Sequence, residues 1–229
     1  MALVEIRDVH KSFQRDTQRI EVFTGLTLDI GDGSFTAVMG PSGSGKSTLL
    51  NLIAGLDKPT SGTVQVGGAA VSAMAPGELA KWRSRHVGFV FQSFNLLPVL
   101  TAYQNVELPL LLTSLTKKER DERVRIALGV VGLEDRMHHY PRQLSGGQEQ
   151  RTAIARAIVA DPTLTMLDEP TGQLDAKSSQ EVLALLQRLN TEFKKTIIIV
   201  THDAHAAERA TTTLHLEKGD LVEKGVVAR

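Results

Sequence analysis

The chain contains no cysteine, so disulfides and thiolate metal sites are excluded, in keeping with a reducing compartment. Aromatic side chains are few: one tryptophan, two tyrosines and seven phenylalanines in 229 residues. Neither sign of charge dominates. Lys and Arg number 26 against 26 Asp and Glu, which argues against a broad basic face for nucleic acid. No window approaches the roughly 18 uninterrupted apolar residues of a membrane helix, and the N-terminus lacks the charged-then-apolar pattern of a signal peptide. The chain is therefore expected to be soluble, with any membrane work supplied by another protein. Its length permits one large domain carrying an inserted subdomain.

What is present begins with Gly40-Pro41-Ser42-Gly43-Ser44-Gly45-Lys46-Ser47. It follows an apolar run, Phe35 to Met39, that reads as a buried strand, and precedes Ser47 to Ala54, which reads as a helix. Strand, glycine-rich turn and helix are the context of the P-loop motif. Glycines let the backbone wrap an anion, successive N–H groups point inward, and the helix adds its positive end. In that motif Lys46 sits beside the β- and γ-phosphates and Ser47 beside Mg²⁺. A second strand, Leu164 to Asp168, ends in two acids. Asp168 is placed to hold Mg²⁺ through water and Glu169 to polarise the attacking water, because adjacent residues at a strand end face different directions. An Asp-Glu pair followed by a helix would otherwise read as an N-cap with a first-turn acid.

Leu144-Ser145-Gly146-Gly147-Gln148, Gln92, Gly172-Gln173-Leu174-Asp175 and Val200-Thr201-His202-Asp203 complete a set that resembles the ATP-binding cassette (ABC) ATPases over almost the whole chain. The resemblance implies an α/β fold: a P-loop NTPase (RecA-like) core with an antiparallel β subdomain and an inserted α-helical subdomain. It implies one domain over residues 1–229, with 1–92 and 144–229 as core and β subdomain and 93–143 as the helical part. It also implies two subunits packing head to tail in an ATP-dependent homodimer, with ATP and Mg²⁺ as cofactors. Nucleotide on the P-loop (Gly40 to Ser47, with Thr48) of one is closed over by the signature Ser145, Gly146, Gly147 and Gln148 of the other. Asp175 belongs to the D-loop. His202, just past the β-branched run Thr196 to Val200, contacts the γ-phosphate and orients Glu169 and the water; Gln92, after Val87 to Phe91, contacts Mg²⁺ and reports on a membrane partner. Phe13 stands where the family stacks adenine on an aromatic ring, with packing inside the first strand as the competing reading. The other six histidines read as surface or loop residues.

Between Ser93 and Gln143 the pattern turns helical, with a run from Thr101 to Leu112 and another from Thr116 to Leu128; Thr116 and Glu119 form a capping box. Gln92-Ser93-Phe94-Asn95-Leu96-Leu97-Pro98 and Thr101 to Leu110 are similar to the lipoprotein-releasing, macrolide-exporting and cell-division group. The permease partners of that group have four membrane helices and a large extracytoplasmic domain, and act by mechanotransmission. The expected location is therefore cytoplasmic, peripheral on the inner face of the membrane. Phe94, Leu96, Leu97 and Pro98 form an apolar loop cluster, read as a docking surface against the alternative of packing beneath the helical part. Three positions depart from the family pattern: Glu149, Gln173 and Thr165. A soluble ABC ATPase acting on nucleic acid or ribosomes usually has tandem cassettes or coiled-coil insertions, which do not appear. A P-loop kinase or GTPase needs no Leu144–Gln148 string and should show an Asn-Lys-x-Asp one, also absent.

Overall fold

The structure is a computed structural model that describes residues 1–15 and 18–222; residues 16, 17 and 223–229, counted within the single domain from sequence, lie outside the described residues. Two strands, β1 (Ala2–Arg15) and β2 (Gln18–Gly31), pair antiparallel, and β1 takes β4 (Ser61–Val66) on its other side, giving the order β2-β1-β4. This is the antiparallel β subdomain.

The second sheet runs β5 (Val87–Val90), β6 (Leu164–Asp168), β7 (Thr196–Thr201), β3 (Phe35–Met39), β8 (Thr212–Glu217), β9 (Asp220–Val222). It is parallel except for the β8–β9 hairpin at its edge. Strand β7 is buried along its whole length, which explains a β-branched run without polar alternation. Ile197 and Ile199 enter one hydrophobic cluster with Phe35, Ala37 and Leu167. Ile198 and Val200 enter another with Val38, Leu164 and Met166. Successive side chains of a strand face opposite sides, so one short strand serves both cores.

On the first face lie α3 (Ala102–Glu107), α4 (Lys117–Val130), α5 (Gly146–Ile158), α6 (Ala176–Thr191) and α7 (Ala204–Ala207), while α1 (Lys46–Ile53), α2 (Pro76–His86) and the three-stranded sheet cover the other. Thr116 and Glu119 cap α4 reciprocally, as their spacing predicts. The run from Thr101 to Leu112 is not one helix: α3 stops at Glu107 and residues Leu108–Leu112 tighten to a 3₁₀ turn, because Pro109 cannot continue the α ladder. Residues 93–143 hold no strand, and α3 and α4 pack on α5. Among the described residues no helix is long and apolar enough to cross a membrane.

Candidate active site

The chain leaves β3 at Met39, turns through Gly40–Gly45 and enters α1. Gly45 holds φ at 99°, and a Cβ there would stand 2.9 Å from Phe23 and Val22 of β2, so backbone and space both select glycine. It caps α1 without any side-chain acceptor, leaving the first-turn N–H groups and the positive helix end to an outside anion. Ser44 is buried and its Oγ has no partner. A buried hydroxyl left unpaired costs about 1–3 kcal/mol, which a phosphate oxygen would relieve. Lys46 is buried too, its Nζ donating to the carbonyls of Gly40 at 2.8 Å and Pro41 at 3.0 Å. Two of its three protons brace the loop; the third remains for a ligand.

Three neighbouring strands deliver the remaining groups. Because β7 lies between β6 and β3, the residues just past their C-terminal ends meet at one edge, where open α/β sheets bind ligands. The Ser47 hydroxyl faces the Asp168 carboxylate, bringing the P-loop helix and β6 together. Burial pushes the Asp168 carboxyl above the ordinary range, and the neighbouring Glu169 adds to this; Ser47 and Lys46 oppose it. Glu169 follows with φ 49°, a left-handed backbone unusual for a non-glycine residue. Its N–H donates to the Val200 carbonyl at 2.9 Å, and its Oε1 lies 2.9 Å from Nδ1 of His202. The carboxylate is largely covered while the imidazole stands in solvent, 71% exposed, so His202 forms the outer wall of the pair.

Lys46, Ser47, Asp168, Glu169 and His202 are thus brought together. Among the described residues no hydrogen bond or ion pair joins Gln92, Phe13, Asp175 or the Ser145–Gln148 turn to them. Gln92 is exposed, two positions beyond β5, at the same sheet edge. Ser145 and Gln148 cap α5 reciprocally, with Gln148 N–H to Ser145 Oγ at 3.3 Å and Ser145 N–H to Gln148 Oε1 at 2.9 Å. Asp175 caps α6 through Ser178, which holds its carboxyl below the ordinary range. The two helix starts touch: a Cβ on Gly147 would come within 2.7 Å of Ser178 Oγ.

Phe13 is 42% exposed at the end of the β1–β2 ribbon, so the core reading fails. One face of its ring is covered by the Lys11 ammonium, 4.6 Å from the centroid. Lys11 is buried and held by the Asp57 carboxylate at 2.7 Å and the Lys58 carbonyl at 2.8 Å. The sequence reading missed Lys11; its only signal was a shared inward parity with Val9. The apolar loop divides: Phe94 and Leu96 pack against the core, whereas Leu97, Pro98 and Val99 are exposed. His10, His86 and His215 lie within β1, α2 and β8 and are partly buried, and Nδ1 of His139 is buried without a partner.

Residues 23–172 match the family described as "ABC transporter". The chain belongs to this family. An uncharacterized ABC transporter ATP-binding protein of Bacillus subtilis, YknY, is 47% identical over 220 residues, covering 96% of this chain and 95% of the relative. The macrolide export ATP-binding/permease protein MacB of Escherichia coli (strain K12) is 44% identical over 220 residues, 96% of this chain and 34% of MacB. Among solved structures, the dimeric post-hydrolysis state of the ATP-binding cassette MJ0796 bound to ADP and Pi aligns with TM-score 0.88 and 41% identity, over 96% of this chain and 97% of that one. The cassette cbiO1 of Clostridium perfringens, part of the complex cbiONQ, aligns with TM-score 0.87 and 28% identity over 97% and 87%. The chain is accordingly an ABC-type ATPase with a P-loop NTPase core.

Proposed function

We propose that two copies of this cassette pack head to tail around two ATP molecules, each held by the P-loop of one copy and the Ser145–Gln148 turn of the other. The Glu169–His202 pair beside the P-loop carries this reading, because it offers a held carboxylate at the edge where a γ-phosphate would sit. Glu169 takes a proton from the water that attacks the γ-phosphate in line, the bond to the β-bridging oxygen breaks, and inorganic phosphate and ADP leave. His202 fixes the carboxylate through Oε1, leaving Oε2 for the water. Lys46 and the α1 N-terminus stabilise charge on the phosphate oxygens. The hydroxyl of Ser47 and the carboxylate of Asp168 fit a hard cation, with Gln92 as a further oxygen donor. Mg²⁺ bound there supplies charge neutralisation. Phe13 offers its uncovered face to adenine, and Asp175 lines the contact between copies.

The partner is a separate integral membrane permease of the four-helix kind with a large extracytoplasmic domain. The cassette would sit in the cytoplasm on the inner membrane face and drive export or extraction of a lipoprotein, peptide or drug by mechanotransmission. The likeness to MacB and the exposed Leu97, Pro98 and Val99 near Gln92 support this. Glu169→Gln tests both parts. The variant should lose turnover by at least about a hundredfold and accumulate as an ATP-bound dimer. Tagged and incubated with ATP and Mg²⁺, it should recover a permease of this kind from detergent-solubilised native membranes. Turnover near wild type would sink the role of Glu169; a many-helix channel, or ribosomal factors, would sink the permease class.

A further inference from the structure

Arg156 lies on α5, the helix whose start carries Ser145–Gln148. Its guanidinium reaches back to the turn that carries Gln92, with Nη1 donating to the Asn95 carbonyl at 2.6 Å and Nη2 to the Phe94 carbonyl at 2.7 Å. Phe94 and Asn95 are two consecutive non-glycine residues in the left-handed region, with φ 58° and 49°. Such a turn persists only where its surroundings hold it. Two things do: the Phe94 ring packs against the core to which α5 contributes Ala153, Ile154 and Ala157, and the Arg156 fork grips both carbonyls. Among the described residues Arg156 has no carboxylate partner, and burial pushes its pKa down. Arg156 is partly buried, and hydrogen bonds rather than an ion pair offset its desolvation, so the two carbonyls are what hold it in place.

We infer that Arg156 is a positioning residue that ties the Gln92 turn to the signature helix, so that the elements facing an ATP in one site and an ATP in the other move as one body. A shift of Gln92 toward its own nucleotide is then passed to Ser145–Gln148, which faces the nucleotide of the other copy. The inference rests on the roles proposed above for Gln92 and the signature turn. Lysine would retain the charge but not the planar fork that spans two successive carbonyls.

The test compares Arg156→Lys with its parent, both in the Glu169→Gln background. Hydrogen exchange should rise at least about tenfold at the amides of residues 92–97, while affinity for MgADP stays within about twofold. The affinity of the ATP-induced dimer, measured by sedimentation, should fall at least about tenfold. Unchanged exchange, unchanged dimer affinity, or an equal loss of MgADP affinity would each overturn the coupling. Arg156→Met should act in the same direction and further; if both variants fail to fold, the arginine serves the fold alone and the inference is overturned. Gln92→Ala and Ser145→Ala in the same background separate the two layers. Should neither weaken the dimer, the site reading falls and this inference with it; should both weaken it while Arg156→Lys does not, only the coupling falls.

Discussion

Lys46 braces the P-loop with the same ammonium that is proposed to hold phosphate, so its removal acts on both. Lys46→Ala leaves the Gly40 and Pro41 carbonyls without their donor and deletes the charged contact to ATP. With charge-assisted bonds worth about 1.5–3 kcal/mol, ATP affinity should fall at least about tenfold, as titration of the purified variant would show. Glu149 makes a different case. It stands in the first turn of α5, and burial holds its carboxyl above the ordinary range. A raised folded-state pKa means that this side chain's contribution is fully present below the unfolded pKa and is lost as pH rises through the folded one. Glu149→Gln should therefore melt higher than wild type at pH 7.5, with the gap closing near about pH 4; thermal scans at the two pH values decide it.

The element that sequence reading understated is the loop entering α3. Asn105 is fully buried, accepting the Leu97 N–H at 2.8 Å and offering its amide to the carbonyls of Leu97, Leu100 and Thr101 at 3.0–3.1 Å. It organises residues 97–101, and with them the exposed Leu97, Pro98 and Val99. Asn105→Ala should cost about 2–4 kcal/mol in denaturant unfolding, since several buried backbone groups lose their partner together. Nothing in the string Ala102 to Glu107 marks this asparagine as buried, because its partners are backbone atoms of a loop whose path the string does not show. Capping is legible where it is local, as with Thr116 and Glu119. Pro109 was visible too, but the helical periodicity around it masked the break. The strands that carry the site were the easiest to read, because β3, β6 and β7 are covered on both faces and need continuous apolar runs.

At the scale of the whole molecule, the parallel sheet separates two cores, and the site lies along the edge both of them support. The meeting of Ser47 with Asp168 and of Glu169 with His202 depends on the strand order β6-β7-β3, which spacing along the chain does not reveal. A ligand at that edge links α1, β6 and β7, and so stabilises the folded state as a unit. At about a hundred times its dissociation constant, MgATP should stabilise Glu169→Gln by about 2.7 kcal/mol. That corresponds to a rise of about 5–10 °C in Tm. Chelating the metal with EDTA should remove most of the gain; a melting curve indifferent to both would count against the assigned site.

The left-handed backbone at Glu169 has an evolutionary consequence. Folding alone favours glycine or asparagine at φ 49°, so a population under selection only for stability would drift away from glutamate at this position. On the role proposed for Glu169, retention of the acid is a cost that ATP turnover sustains, and descendants of this cassette released from that demand should betray it at position 169 before the sheet around it changes.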